Sequence, residues 1–116
     1  MKKIYRVKKN EEIEKILNNK NSSANSCFII YSIKTDETKH FRYAVSVSKK
    51  IGNAVVRNRL KRQVRALIRQ FEVVDGVDFF IIVRAKALKL DFERLKIEMN
   101  YLLQKQKLLR KGEKND

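Results

Sequence analysis

The chain has 116 residues, with 28 Lys and Arg against 13 Asp and Glu, a formal net charge of +15 at pH 7 and 43% hydrophobic residues. That length and apolar content bound it to a single domain over residues 1–116 with a core of its own, and exclude disorder by composition. The charge asks for an anionic partner, nucleic acid first and an anionic membrane surface second, while the single Cys27 excludes an internal disulfide and no apolar run is long enough to span a membrane.

The first residues, MKKIYRVKKNEE, begin like the charged region of a signal peptide, but no apolar region follows, so the expected location is the cytoplasm. Residues 1–9 read as an extended basic lead-in. Asn10 is placed to cap a short helix over about residues 11–18, with Glu11 and Glu12 where the helix dipole favours anions and Ile13, Ile16 and Leu17 on one face. NNKNSSANS, residues 18–26, reads as a polar loop. CFIIYSI (27–33) is a strand by its β-branched and aromatic content. FRYAVSV (41–47) alternates Phe41, Tyr43, Val45 and Val47 against Arg42, Ala44 and Ser46. Joined by the charged turn KTDETK, the two runs are expected to pair antiparallel. Gly52-Asn53 then makes a turn and an N-cap, and a helix over about 54–70 buries Val56, Leu60, Val64, Leu67, Ile68 and Phe71 at the 3.6-residue period. Asp75-Gly76 is a turn, and DFFIIVR (78–84) is apolar on both faces, which makes it a central strand. Asp91 caps the last helix, Leu90 and Leu95 staple it, and Leu95, Met99, Leu102 and Leu103 form its buried stripe. The tail KGEKND is expected to fray.

The chemistry concentrates between Ser46 and Arg69. This stretch carries Lys49, Lys50, Arg57, Arg59, Lys61, Arg62, Arg65 and Arg69 and no acidic residue. On the helix they form two rows, Arg57-Lys61-Arg65 and Arg59-Arg62-Arg69, both expected to point outward. Like charges four residues apart repel by a few tenths of a kcal/mol per pair. A solvated face usually mixes signs, so a surface of one sign points to a polyanion. Ser46, Ser48, Lys49 and Lys50 precede the helix, whose free first-turn amides attract phosphate; the spacing is not that of a P-loop. His40, the only histidine, reads as a surface residue, and no Cys/His metal spacing or clustered carboxylate pair is present. Tyr31 and Tyr43 are either core residues or stacking platforms for unpaired bases.

The run SVSKKIGNAVVRNRLKRQVR, centred on Arg57-Asn58-Arg59 and Leu60-Lys61-Arg62, closely resembles the signature of the bacterial ribonuclease P protein subunit. The resemblance extends to KKNEEIEKIL, Ala24-Asn25, the strand reaching Tyr31 and DFFIIVR with its trailing helix, and covers roughly residues 3–110. It implies an α/β (α+β) two-layer sandwich of three helices and a four-stranded, mainly antiparallel sheet, an architecture shared with some ribosomal proteins. It also implies a left-handed β-α-β crossover through the basic helix, a hand the residues alone do not give, since such crossovers are right-handed in about 98% of cases. By the same resemblance the chain is the protein cofactor of a catalytic RNA that removes the 5′ leader of precursor tRNA. The RNA and its bound Mg2+ supply the catalysis, with no catalytic residue on the protein, no further protein subunit and no membrane. Ser48, Lys49, Lys50, Arg57, Asn58, Arg59, Lys61, Arg62 and Arg65 would face the catalytic RNA. Ile13, Leu17, Ile29 and Tyr31 would line a cleft for the leader. The chain departs from the family in having aliphatic Ile13 and Leu17 where aromatics are frequent. Lys20 or Asn21 stands at a common glycine, and Ala85-Lys86-Ala87 follows Arg84 where Gly or Pro is common. The remaining alternative is a structural RNA-binding module without a role in tRNA processing.

Overall fold

The computed structural model describes residues 5–19, 21–36 and 38–110. The elements run α1 (Asn10–Asn18), β1 (Ser22–Ala24), β2 (Phe28–Lys34), β3 (Arg42–Val47), α2 (Ala54–Ile68), β4 (Val77–Val83), a 3-10 turn at Ala85–Lys89, and α3 (Phe92–Lys105). One mixed sheet of order β1-β2-β4-β3 carries them, with β1–β2 and β2–β4 antiparallel and β3–β4 parallel. The helix α2 is the crossover between the parallel pair.

β4 is apolar toward both sides, and five of its seven positions are buried. A central position pairs both of its hydrogen-bonding edges, and the helices seal the face that carries Val77, Phe79, Ile81 and Val83. This corrects the expected pairing of residues 27–33 with 41–47: β2 and β3 both pair with β4, which lies between them. Seven residues, 35–41, separate β2 from β3, more than the two of a tight hairpin turn, so the connection length does not favour pairing the two strands directly.

The core fills one side of the sheet. Phe28, Ile30, Tyr43, Val47, Phe79, Ile81 and Val83 meet Leu60, Val64, Leu67 and Ile68 of α2 and Leu95, Met99, Leu102 and Leu103 of α3 in one cluster. The predicted stripe of α3 is buried in full, and Asp91 caps it by accepting from the Arg94 amide at 2.9 Å. Of the residues expected to be buried by α2, Val56 and Phe71 are only half-buried. Cys27 is 0% exposed, a core residue. Gly76 adopts φ 71° in the turn before β4, the left-handed region its neighbour Asp75 would resist.

The polar loop at 18–26 contains a strand. β1 pairs Ser22, Ser23 and Ala24 with Tyr31, Ile30 and Ile29. Of its two serines Ser22 is exposed, and Ser23 sits inside the fold because its hydroxyl is satisfied there. Gln106, just past α3, donates to the Ser23 hydroxyl at 2.7 Å and to the Ile30 carbonyl, while the Ser32 hydroxyl donates to the Gln106 carbonyl oxygen. The Asn25 side chain closes the turn into β2 by accepting from the Cys27 and Phe28 amides at 3.0 and 2.9 Å. α1 starts one residue early: Lys9, in extended geometry, holds the cap position without a side-chain hydrogen bond, and Asn10 is already helical. The segment before it is pinned to the outer edge of β3, where the Val7 amide donates to the Tyr43 carbonyl at 3.0 Å. The early lead-in at 1–4, Lys20 and the tail at 111–116 lie outside the described residues.

Tyr43 carries its ring into the core, stacked on Phe79 with centroids 5.5 Å apart, and its buried hydroxyl has no hydrogen-bond partner. Burial pushes its pKa up to about 12, partly offset by Arg65, Arg69 and Arg6. The folded state therefore keeps this proton at pH values where the unfolded chain, ionising near 10, releases it. The associated stability is complete below pH 10 and is lost as pH rises toward 12. In urea unfolding, Tyr43→Phe is expected to match or exceed the wild type at pH 9. Between pH 9 and about 12 it should lose ~2 kcal/mol less than the wild type does.

Candidate nucleic-acid interface

The entrance to α2 is tightly built. The Ile51 amide donates to the Ser48 carbonyl at 3.0 Å and the Lys50 amide to the Ser48 hydroxyl at 3.1 Å. Asn53 caps the helix by accepting from the Val56 amide at 3.1 Å. A Cβ on Gly52 would lie 2.9 Å from the Val56 Cβ, so only glycine lets the turn close on the first helical turn. This geometry leaves Lys49 and Lys50 exposed beside amides of Ala54 and Val55 that have no intrahelical acceptor.

Along the helix the two basic rows differ. Asn58, Arg59, Arg62 and Arg69 are exposed as expected, whereas Arg57, Lys61 and Arg65 are half-buried on the flank. The expectation that both rows point outward is thus corrected. Arg57 lies one heptad before Val64, almost on the buried stripe, so its aliphatic stem runs along the core and its head emerges at the edge. Its Nε is buried without a partner. Arg65 and Arg69 of α2 and Arg6 of the N-terminal segment converge on Tyr43 closely enough to act on its hydroxyl, and the Arg6 Nε is likewise buried and unpartnered. Arg6 was hidden in the sequence among other basic lead-in residues; only its pairing with β3 brings it to this surface. Among the described residues no cation of α2 has a carboxylate within 4.0 Å, the ion pairs being those of Arg42 and Arg110.

A second surface occupies the other face of the sheet. Strand register places Ser22, Tyr31, Phe80 and Ala44 in one row and Ala24, Ile29, Ile82 and Ser46 in the next. Tyr31, Phe80, Ile29, Ile82, Ala44 and Ser46 are all half-buried, and none belongs to the core cluster. α1 lies over one end of this face, burying Ile16, with Ile13 half-buried and Leu17 37% exposed beside it. The structure therefore brings Ile29 and Tyr31 side by side and sets the α1 wall next to them. It also adds Phe80 and Ile82, which sequence reasoning missed. Their signal was the alternation within DFFIIVR: a strand apolar on both sides, of which only one side is covered by helices.

Other reactive groups are accounted for structurally. The His40 ring meets Tyr5 edge-on at 5.0 Å, and its Nδ1 lies 2.9 Å from the Phe41 carbonyl. Among the described residues no three His, Cys, Asp or Glu side chains converge on a point that could hold a metal. Glu12 and Asp78 are both engaged by Arg42.

The geometry has counterparts among known proteins. The Ribonuclease P family model matches residues 1–107. The ribonuclease P protein component of Listeria innocua is 39% identical over 99% of this chain and 98% of its own length, and that of Bacillus cereus is 45% identical over 83% and 85%. The solved ribonuclease P protein of Staphylococcus aureus superposes with a TM-score of 0.82 at 32% identity, covering 91% of this chain and 98% of that one. The Thermotoga maritima protein gives 0.75 at 25% identity over 85% and 96%. The left-over positive charge, the Arg57-Asn58-Arg59 helix and the mixed four-stranded sheet thus converge on one conclusion: the chain belongs to the family of ribonuclease P protein components.

Proposed function

We propose that this chain is the protein subunit of a bacterial ribonuclease P, that its α2 surface docks the catalytic RNA, and that the open sheet face beside α1 receives the 5′ leader of precursor tRNA. The observation that carries this reading is the set of unpaired cations on one rigid helix. Among the described residues Arg57, Arg59, Lys61, Arg62 and Arg65 have no carboxylate within ion-pair distance, so an external polyanion would relieve their repulsion. Ser48, Lys49, Lys50 and Asn58 extend that surface at the helix entrance and along its outer side.

In this reading two polyanions must meet, and the protein lowers the electrostatic cost of bringing them together. The catalytic RNA cleaves the phosphodiester, with magnesium held by the RNA partner. The protein contributes charge and a row of apolar side chains against which unpaired leader bases can stack. Its effect is tighter precursor binding and a reduced magnesium requirement, with the reaction taking place in the cytoplasm. Tyr31 and Phe80, neighbours across β2 and β4, supply the aromatic platform that the aliphatic Ile13 and Leu17 do not.

The deciding experiment mixes the protein with a bacterial ribonuclease P RNA and precursor tRNA at low magnesium. Stimulated removal of the leader is expected; RNA binding without stimulation would identify a structural RNA-binding module instead. Affinity for the catalytic RNA should fall with salt at a log–log slope of about −4 to −5, the value for roughly six neutralised phosphates. Arg59→Ala with Arg62→Ala, both at exposed positions, should weaken assembly at least ~10-fold while circular dichroism stays unchanged. Tyr31→Ala and Phe80→Ala should each weaken precursor binding roughly 5- to 100-fold without affecting mature tRNA, the range of one lost base–aromatic stack. Equal losses for both tRNAs would show that the two rings serve only packing.

A further inference from the structure

One charged cluster lies outside both surfaces. Arg42 of β3 donates through Nε and Nη2 to the two carboxylate oxygens of Asp78 on β4, at 3.0 and 2.7 Å. The same Nη2 donates to Glu12 of α1 at 2.8 Å. The side chains are 15%, 7% and 26% exposed for Arg42, Asp78 and Glu12. Asp78 therefore fixes the guanidinium plane from inside the sheet, and the remaining Nη2 hydrogen has one direction, toward α1. The pairing holds the Arg42 pKa above its ordinary value, Asp78 contributing most.

Three observations give this cluster a job. The register row Ile33, Asp78, Arg42 stands two residues along the strands from the row Tyr31, Phe80, Ala44, about 7 Å away. α1 has nine residues, too few to hold a helix by itself, so its position depends on what it touches. Ile16 packs fully buried against the sheet, and beside it a cavity of about 50 Å³ remains between helix and sheet, lined by Glu12, Lys15, Ile16, Arg42 and Asp78 among others, so the ionic contact at Glu12 spans a loosely filled part of the interface. Among the described residues Glu12 is the one ionised group of α1 that is ion-paired.

We propose that Arg42, locked by Asp78, is a positioning residue that holds Glu12 and thereby sets the distance of the α1 wall, Ile13 and Leu17, from the Tyr31–Phe80 row. The inference rests on the reading of that row as the leader surface. The cluster touches no base itself; it fixes the width of the groove the bases enter, and so the affinity for the single-stranded leader rather than for the folded tRNA body.

The test uses the holoenzyme reconstituted with a bacterial ribonuclease P RNA and two precursors, one with a long leader and one with a single-nucleotide leader. Glu12→Ala should raise KM for the long-leader precursor ~5-fold at unchanged kcat, the loss of one partly exposed ionic tie, and leave the short-leader KM within error. Glu12→Gln, which keeps an acceptor but no charge, should fall between Glu12→Ala and wild type and provides the readout if Glu12→Ala fails to fold. An equal rise for both substrates, or no rise for either, overturns the positioning role. Tyr31→Ala, measured in parallel, separates the two readings. If it discriminates between the leaders while the Glu12 variants do not, the leader surface stands and the positioning role falls. If Tyr31→Ala also treats both leaders alike, the leader surface itself is wrong and the inference goes with it.

Discussion

Every other feature of this molecule follows from the place that β4 must occupy. A seven-residue strand with apolar side chains on both sides can be shielded only in the interior of a sheet, and both its neighbours pair with it rather than with each other. Because β3 precedes β4 and lies parallel to it, the chain between them has to cross over, and it does so as α2. The crossover buries Leu60, Val64, Leu67 and Ile68 against the sheet, and that burial aims Arg59, Arg62 and Arg69 of the same helix at solvent and leaves Arg57, Lys61 and Arg65 half-buried on its flank. On its other side β4 presents Asp78, Phe80 and Ile82. The first anchors Arg42 and, through it, α1; the other two are left as part of the open row.

Two kinds of incomplete satisfaction mark the functional surfaces. The cations of α2 repel one another, and at a few tenths of a kcal/mol per neighbouring pair they oppose a fold whose whole stability is of the order of 10 kcal/mol. The Nε atoms of Arg6 and Arg57 are also buried without a partner. A buried donor without an acceptor costs about 1–3 kcal/mol, so these donors gain most when a phosphate oxygen arrives. The open sheet face is incomplete in another sense: its apolar rings and branched chains are half-covered where the opposite face is sealed by two helices.

The parts of the fold that were legible in the sequence are those specified by residues close together. The helices α2 and α3, with Asn53 and Asp91 as caps, and the character of β4 as a central strand all follow from local spacing. β1 was not legible because its one buried serine, Ser23, is made tolerable by Gln106, 83 residues away in the chain, and a polar triplet without that partner reads as loop. The order of the strands was not legible because adjacency in sequence favoured the β2–β3 pair and only competition for the centre decides against it. The basic surface was visible in charge alone, though not the half-burial of Arg57, which depends on a rotation of the helix of a few tens of degrees. Tyr31 was legible as a candidate stacking ring and Ile29 entered through family resemblance. Phe80 was masked by its strand: a residue in a run apolar on both sides looks equally buried whichever way it points, until the helices are seen to cover one side only.

The two proposed surfaces lie on opposite faces of the sheet, yet they are not separate. β3 lines the open face with Ala44 and Ser46, and one residue beyond its end, at Ser48, the chain enters the turn that carries Lys49 and Lys50 to the start of α2. The row Ala24, Ile29, Ile82, Ser46 therefore ends next to the positive entrance of the RNA-docking helix. In the proposed reading a single strand lying along the open face would set its bases against Tyr31 and Phe80, with its backbone drawn toward Lys49 and Lys50 at the rim. Held this way, it would reach the same edge as the helix assigned to the catalytic RNA. The alternation of β3, with Val47 in the core and Ser46 on the open face, therefore puts both proposed surfaces on one strand.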